Sequence, residues 1–260
     1  MEIGLYKIED NDMNKEEIIK NVDKLINMHK KGLLGGEKMP EDANPNLDKN
    51  SLENYIYFTL PMALNYQRNS YKLWESAKNT FEDANTNFVF VPKEVLKKDI
   101  NKLQEALVKY KIALQKNKQT EIWMKLCETI EYTLEGDIRN LFKINDYDIL
   151  KIKSYIQIEH KKDYPYISGN KICNYWLYVL MNYTDIKFKN LEKLNIAPDT
   201  HIIKASYKLG VINEDELKTS NVQKIVEERW NNILKDKKYI PIMLHTPMWL
   251  WSRNGFINLK

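Results

Sequence analysis

Apolar positions along this chain recur mostly at helical spacing. Residues 15–31, KEEIIKNVDKLINMHKK, place Ile18, Ile19, Val22, Leu25, Ile26 and Met28 on one broad face, which predicts an amphipathic helix. A second starts at Ser51, a side chain suited to an N-cap, and runs through SLENYIYFTLPMALNYQ until Pro61 kinks or ends it. SYKLWESAKNTFED repeats the pattern with Leu73, Trp74, Ala77 and Phe81 inward. From Pro92, a proline suited to a first helical position, to Gly136 the spacing predicts two or three more helices, and DIRNLFKINDYDILKIKSYIQ continues in the same style. Asp199 opens a helix that Gly210 stops, and NEDELKTSNVQKIVEERWNNILKDKK adds one or two. HTPMWLWSRNG reads as a short helix with Thr246 at the N-cap, Pro247 at the first position and Gly255 beyond the end.

Two stretches break the pattern. NFVFVP, residues 87–92, alone reads as a strand. KGLLGGEKMPEDANPNLDKN, residues 31–50, carries the glycines, prolines and acids of a flexible connector. The expected fold class is all-α, in two helical lobes with the cleft between them as the natural place for a site. One lobe is expected over residues 92–195, and the other over 1–91 together with 196–260.

Composition narrows the class. With 43% hydrophobic and 29% charged residues, the chain is that of a soluble globular protein, and eight glycines among 260 residues are few for a fold built on tight turns. A net charge of +4 permits a nucleic-acid partner without demanding one. Cys127 and Cys173 are the only cysteines; they are expected to be free buried thiols, and no four-cysteine cluster or zinc pattern can be built from them. The opening MEIGLYKIEDND has neither a signal peptide's pattern nor a spanning helix's, and no apolar run approaches the ~20 residues of a membrane crossing. A cytoplasmic protein, not held by a membrane, is the expectation.

The candidate chemistry lies in YPYISGNKICNYW, residues 164–176, and APDTHIIKASYKLG, residues 197–210. Lys171 falls on the first turn of an apolar helix, where a carboxylate would suit the dipole better. Gly169 is suited to a tight turn, and free N–H groups at a helix start can hold a phosphate oxygen. The positive end of a helix and burial beside Tyr175 and Trp176 disfavour an ammonium, and a neutral lysine amine is a nucleophile able to form a Schiff base. Asp199 before a threonine is an ordinary N-cap by itself, with Ala197-Pro198 holding its approach and His201 two residues on.

Together the two stretches resemble the helix-hairpin-helix DNA glycosylase superfamily, which includes the endonuclease III, adenine-mismatch and 8-oxoguanine glycosylases. Gly169-Asn170-Lys171 matches the hairpin end with its catalytic lysine, and Pro198-Asp199-Thr200-His201 matches the stretch with the catalytic aspartate. IPIMLHTPMWLWSRNGF is similar to the terminal tryptophan-leucine helix, and LNYQRN places Gln67 at the DNA-touching glutamine. The likeness spans roughly residues 50–256. Ile167 stands where the hairpin's first glycine usually is, with Ser168 beside it, and the segment between Lys171 and Asp199 is longer than in the endonuclease III branch. The iron–sulfur cysteine set is absent. The longer segment, the absent cluster and the IP…LH…W ending resemble the archaeal 8-oxoguanine branch, although Leu244-His245 occupies the region of its base-reading aspartate.

The resemblance implies a bifunctional DNA glycosylase/AP lyase of base excision repair. It would act as a nucleoid-associated monomer on damaged double-stranded DNA, with no metal or other cofactor, and 8-oxoguanine is the favoured substrate. Lys171 would attack C1′ of a flipped-out nucleotide to give an imine that permits β-elimination. Asp199 would stabilise charge and accept a proton. Trp74, Tyr175, His245 and Trp249 would meet the extruded base, with Tyr175 one helical turn after Lys171. Gln67, Ile167, Gly169 and Asn170 would touch DNA, with HKKD at 160–163 and KDKK at 235–238 near phosphates. A non-catalytic DNA-binding protein on the same scaffold, and a glycosidase of free modified nucleosides, remain alternatives.

Overall fold

Side-chain caps and prolines set many of the helix starts in the computed structural model, which describes residues 6–35 and 38–259 (for 6–14, the backbone alone). The first five residues of MEIGLYKIEDND lie outside the described residues. Helix α1 spans Tyr6–Lys30, longer than the apolar stripe at 15–31 predicts, because no glycine or proline interrupts the polar run before it. Then come α2 (Leu52–Thr59), α3 (Ser70–Glu82), α4 (Pro92–Val95), α5 (Ile100–Lys109) and α6 (Lys116–Glu128). They are followed by α7 (Arg139–Ile144), α8 (Ile149–Ser154), α9 (Asn170–Tyr183) and α10 (Thr200–Lys208). The last three are α11 (Glu214–Leu217), α12 (Val222–Leu234) and α13 (His245–Arg253).

Ser51 caps α2 by accepting from Asn54 N at 3.2 Å, and α2 ends before Pro61, which opens a 3-10 turn over Pro61–Leu64. Pro92 occupies the first position of α4. Gly210, with φ of +76°, ends α10 in the left-handed conformation that favours glycine. Thr246 and Pro247 do not start α13 as their order predicts. Pro241 opens a 3-10 turn over Pro241–Leu244, and α13 continues from it at His245.

Among the described residues the fold is all-helical; the β-type pairing present is a bridge between Asp148 and Lys189. NFVFVP is therefore not a strand. Asn87–Phe90 forms a 3-10 turn, with Val89 and Phe90 buried. The Val89 carbonyl accepts from Trp123 Nε1 at 2.8 Å instead of from a neighbouring strand.

The chain divides into two compact units, residues 1–37 with 194–260, and residues 38–193. This differs from the expected lobes: residues 38–91 belong with the hairpin. The bonds that place them there are long-range ones that local pattern does not carry. Asn54 Nδ2 donates to Tyr183 O at 2.9 Å, and Trp176 Nε1 to Thr59 Oγ1 at 3.2 Å. Nor are residues 38–50 a loose connector. Tyr57 Oη donates to Ala43 O at 3.3 Å, Tyr71 Oη to Lys38 O at 2.6 Å, and Tyr183 Oη to Asp42 Oδ1 at 2.8 Å.

The core of the 38–193 unit is aromatic, with Tyr57, Phe58, Trp74, Phe90, Trp123, Phe142 and Trp176 all buried. Tyr57 sits 5.5 Å from Phe90 and Phe142 sits 5.7 Å from Trp176, centroid to centroid. Removing each such ring from water contributes roughly 1.5–3 kcal/mol. In the other unit, Val22 and Leu25 of α1, Ile202 and Ala205 of α10, and Val226 and Trp230 of α12 are buried. Trp230 Nε1 donates to Ser206 Oγ at 2.9 Å, tying α12 to α10. Cys127 and Cys173 are free and buried, and burial pushes both thiols up, Cys173 to about 12.

Candidate active site

The stretch that carries Lys171 folds as two helical arms joined by a tight turn. Asp148 caps α8, its Oδ1 accepting from Leu150 N at 2.8 Å. The first arm runs on through a π turn at Tyr155–Glu159 and a 3-10 turn at Lys161–Asp163. Three backbone bonds then close the turn: Ile167 N to Pro165 O at 2.8 Å, Ser168 N to Tyr164 O at 2.9 Å, and Gly169 N to Tyr166 O at 3.1 Å. Gln157 Nε2 of the first arm donates to Ser168 O of the turn at 3.3 Å, and Lys153 Nζ ties that arm to the second, α9, by donating to Asn174 Oδ1 at 3.3 Å.

Gly169 serves the turn differently from the tight-turn expectation. Its backbone is extended (φ −66°, ψ 135°), and the left-handed residue is Tyr166 (φ 62°). What glycine supplies is clearance, since a Cβ at 169 would lie 3.2 Å from Tyr166 O. Ile167 is fully buried and its N–H is spent inside the turn, so it anchors the hairpin; the expected DNA contact through this residue does not fit its position. Gly169 and Asn170 are exposed. Asn170 holds the helix start, its carbonyl and Oδ1 accepting from Asn174 Nδ2 at 2.8 and 3.0 Å.

Lys171 is the second residue of α9, half-buried, and forms no ion pair among the described residues. Tyr175 follows one turn later, on the same face. Its hydroxyl donates to Glu41 Oε1 at 2.8 Å, and Trp74 Nε1 donates to that same oxygen at 2.9 Å. Glu41 is only 1% exposed, and neither donor is a cation. Burial pushes its carboxyl up to about 7, outweighing the downward pull of the Tyr175 and Trp74 bonds. The sequence singles out Lys171, Tyr175 and Trp74; the carboxyl that joins the last two was hidden in a stretch that reads as a connector. Its Pro40-Glu41-Asp42 neighbours signal a turn and nothing more.

Trp74 does not keep the role expected of it. Its ring is fully buried, 5.8 Å from Tyr57 and 5.5 Å from Phe58, and an enclosed ring has no open face for an extruded base. Helical spacing selected it for the core.

Gln67 and the hairpin come together. Both Gln67 and Tyr166 line a concavity of about 150 Å³, along with Tyr66 and Lys118. Gln67 (φ 50°) is left-handed, as is Tyr166, and such backbone is strained for residues other than glycine. The Tyr66 and Tyr166 rings lie 5.5 Å apart, and Lys118 Nζ stands 5.5 Å from the Tyr166 ring centre. Arg68, next to Gln67, donates to Ile112 O at 2.7 Å and Lys111 O at 3.0 Å. Neither tyrosine was selected by its sequence context.

The other unit holds Asp199, His245 and Trp249. Asp199 is half-buried at the N-cap of α10, where Oδ1 accepts from Ile202 N at 2.9 Å. Trp249 of α13 packs 5.1 Å from the His201 ring, with the Arg253 guanidinium 5.8 Å from the indole. His201 Nδ1 lies 3.2 Å from Ser252 Oγ. His245, the first residue of α13, is buried.

No family model matches the chain, and neither the curated proteins nor the solved structures contain a match to it. Among the described residues no three His, Cys, Asp or Glu side chains are grouped to hold a metal ion, and no helix is long and apolar enough to cross a membrane.

Proposed function

We propose that the chain is a DNA N-glycosylase with AP lyase activity on a helix-hairpin-helix scaffold, acting on damaged duplex DNA with an oxidised purine such as 8-oxoguanine as substrate. The observation that carries this reading is the hairpin itself. A glycine that leaves clearance for Tyr166 O ends the turn, and a half-buried lysine without an ion pair among the described residues sits on the first turn of the next helix. Lining of one concavity by Gln67 and the hairpin's Tyr166 adds support, since both segments match DNA-facing parts of the superfamily.

In this mechanism the target nucleotide leaves the stack, at a cost of a few kcal/mol that a damaged base lowers. The Lys171 amine attacks C1′, and the glycosidic bond breaks with its electron pair going to the base, which takes up a proton. The amine nitrogen gives up a proton, and the C1′–O4′ bond then opens, O4′ taking up a proton while the nitrogen lone pair forms the C1′=N bond of a protonated imine. Removal of a C2′ proton then expels the 3′ phosphate and nicks the strand. Asp199 is assigned from the resemblance as the carboxylate that offsets positive charge on the sugar and takes the amine proton. Tyr175, fixed by Glu41, is placed to wall the lysine's face of α9.

Borohydride reduction in the presence of an abasic duplex tests the assignment. A covalent protein–DNA adduct is expected from the parent chain and none from Lys171→Gln. An adduct that persists in the variant removes this lysine from the reaction. One observation favours a second reading, a non-catalytic DNA-binding protein: the cap bond to Ile202 accounts for Asp199 without any chemistry. Duplex binding with no adduct and no base release would select it.

A further inference from the structure

The 38–193 unit carries a second concavity, of about 610 Å³, that the proposed reaction does not use. Its size falls within the range of small-molecule sites. Tyr147, half-buried, stands at its wall, and the enclosed rings of Tyr55 and Phe142 pack beneath it. Lys143 and Lys187 are exposed at the rim. Arg139 also lines it, but its guanidinium is held by Asp137 at 2.7 Å and by Asn50 O at 2.8 Å, which leaves the two lysines as the available cations. Lys143 reaches only the Asn140 side-chain oxygen, at 3.1 Å, and Lys187 forms no ion pair among the described residues.

Two features distinguish this concavity from an ordinary solvated groove. Asp146 (φ 54°) and Tyr147 (φ 57°) are consecutive left-handed residues, and neither is glycine. Such strain costs on the order of 1–3 kcal/mol per residue and persists only where the surroundings hold it. Here they do: Tyr147 N donates to Phe142 O at 2.8 Å, Lys189 N to Tyr147 O at 2.8 Å, and Ile149 N to Lys189 O at 3.2 Å. The second feature is Asp185. Its Oδ1 accepts from Tyr55 Oη at 2.6 Å, which orients the carboxylate and leaves Oδ2 as an acceptor beside aromatic surface.

The Tyr147 ring, one oriented acceptor and two rim ammoniums match a planar ligand that bears an amino group and a phosphate. We infer that this concavity binds a nucleoside 5′-monophosphate whose base carries an exocyclic amino group. The base lies on Tyr147, its amino group donates to Asp185, and the phosphate meets Lys143 and Lys187. This inference is independent of the chemistry assigned to Lys171.

Calorimetric titration of the full chain with GMP, UMP and inorganic phosphate tests it. GMP is expected to bind saturably at one site, at least 10-fold more tightly than either UMP or phosphate. Lys143→Glu with Lys187→Glu, both exposed positions, should weaken GMP at least 10-fold and leave the circular dichroism spectrum unchanged. Asp185→Asn should remove the preference for GMP over UMP. Absence of saturable GMP binding overturns the inference, as does equal affinity for GMP and phosphate, or GMP binding that the double variant leaves intact. Loss of duplex DNA affinity in the double variant, with no GMP binding by the parent, assigns the lysines to a DNA backbone and also overturns it.

Discussion

The Tyr175 hydroxyl donates to Glu41 Oε1 at 2.8 Å, linking residues 134 apart in sequence. Through this bond a carboxyl from the segment before α2 holds a side chain one turn beyond Lys171. Trp74 shares the same oxygen, so a single buried acceptor orders α3 and α9 together.

Stability should carry the signature of Glu41. Its carboxyl has an ordinary value of 4.5 and stands at about 7 in the folded chain. Between those values the folded state holds more protons than the unfolded state, so stability falls as pH rises from about 4.5 to about 7, then levels. At about 1.36 kcal/mol per pH unit the total is on the order of 3 kcal/mol. Glu41→Gln should lack this decline and exceed the parent in stability at pH 8. Urea denaturation at pH 5 and pH 8 measures both, and parallel slopes in the two proteins would refute the assignment.

Tyr175→Phe should cost more at pH 8 than at pH 5, because a donor to a charged acceptor contributes ~1.5–3 kcal/mol against about 1 kcal/mol for a neutral one. In the Glu41→Gln background that pH dependence should vanish. A double-mutant cycle run at both pH values reads the coupling directly, and zero coupling at pH 8 would mean that the bond is not maintained in solution.

Gly169→Ala should lower stability on the order of 1 kcal/mol. The backbone at 169 suits alanine, but the new Cβ would press on Tyr166 O at 3.2 Å. That oxygen already accepts from Gly169 N, in a turn whose residue 166 is left-handed, so it has little freedom to move. Thermal melting of the variant against the parent checks this; an unchanged midpoint would show that the turn can relax.

Asp199 separates capping from chemistry through two substitutions. Asn retains an acceptor for Ile202 N and should cost a few tenths of a kcal/mol, whereas Ala should cost about 1 kcal/mol. If the carboxylate takes part in the reaction, both should lower base release by about 10²-fold or more. Full activity in Asp199→Asn would reduce the residue to a cap.

Local chemistry explains what was legible beforehand. Ser51 reads as a cap because its hydroxyl needs only Asn54 N, three residues away. Gly210 reads as a stop because φ of +76° is a property of one residue. Where these signals compete with distant partners, they mislead. NFVFVP has a strand's side chains, but Val89 and Phe90 are buried in a 3-10 turn, and the Val89 carbonyl goes to Trp123. Residues 31–50 have a connector's composition, yet residues 38–43 are bonded to Tyr57, Tyr71 and Tyr183.

The candidate site divides in the same way. Lys171 on a first turn and Asp199 at an N-cap follow from local pattern, and the structure places them so. Glu41 under Tyr175, the concavity shared by Gln67 and Tyr166, and the enclosure of Trp74 were decided by tertiary packing. Helical periodicity, capping and glycine geometry act within a few residues, so the order of amino acids alone determined them. Burial of a carboxyl and the meeting of remote aromatic rings depend on which surfaces exclude water together, and that is settled only when the whole unit has folded.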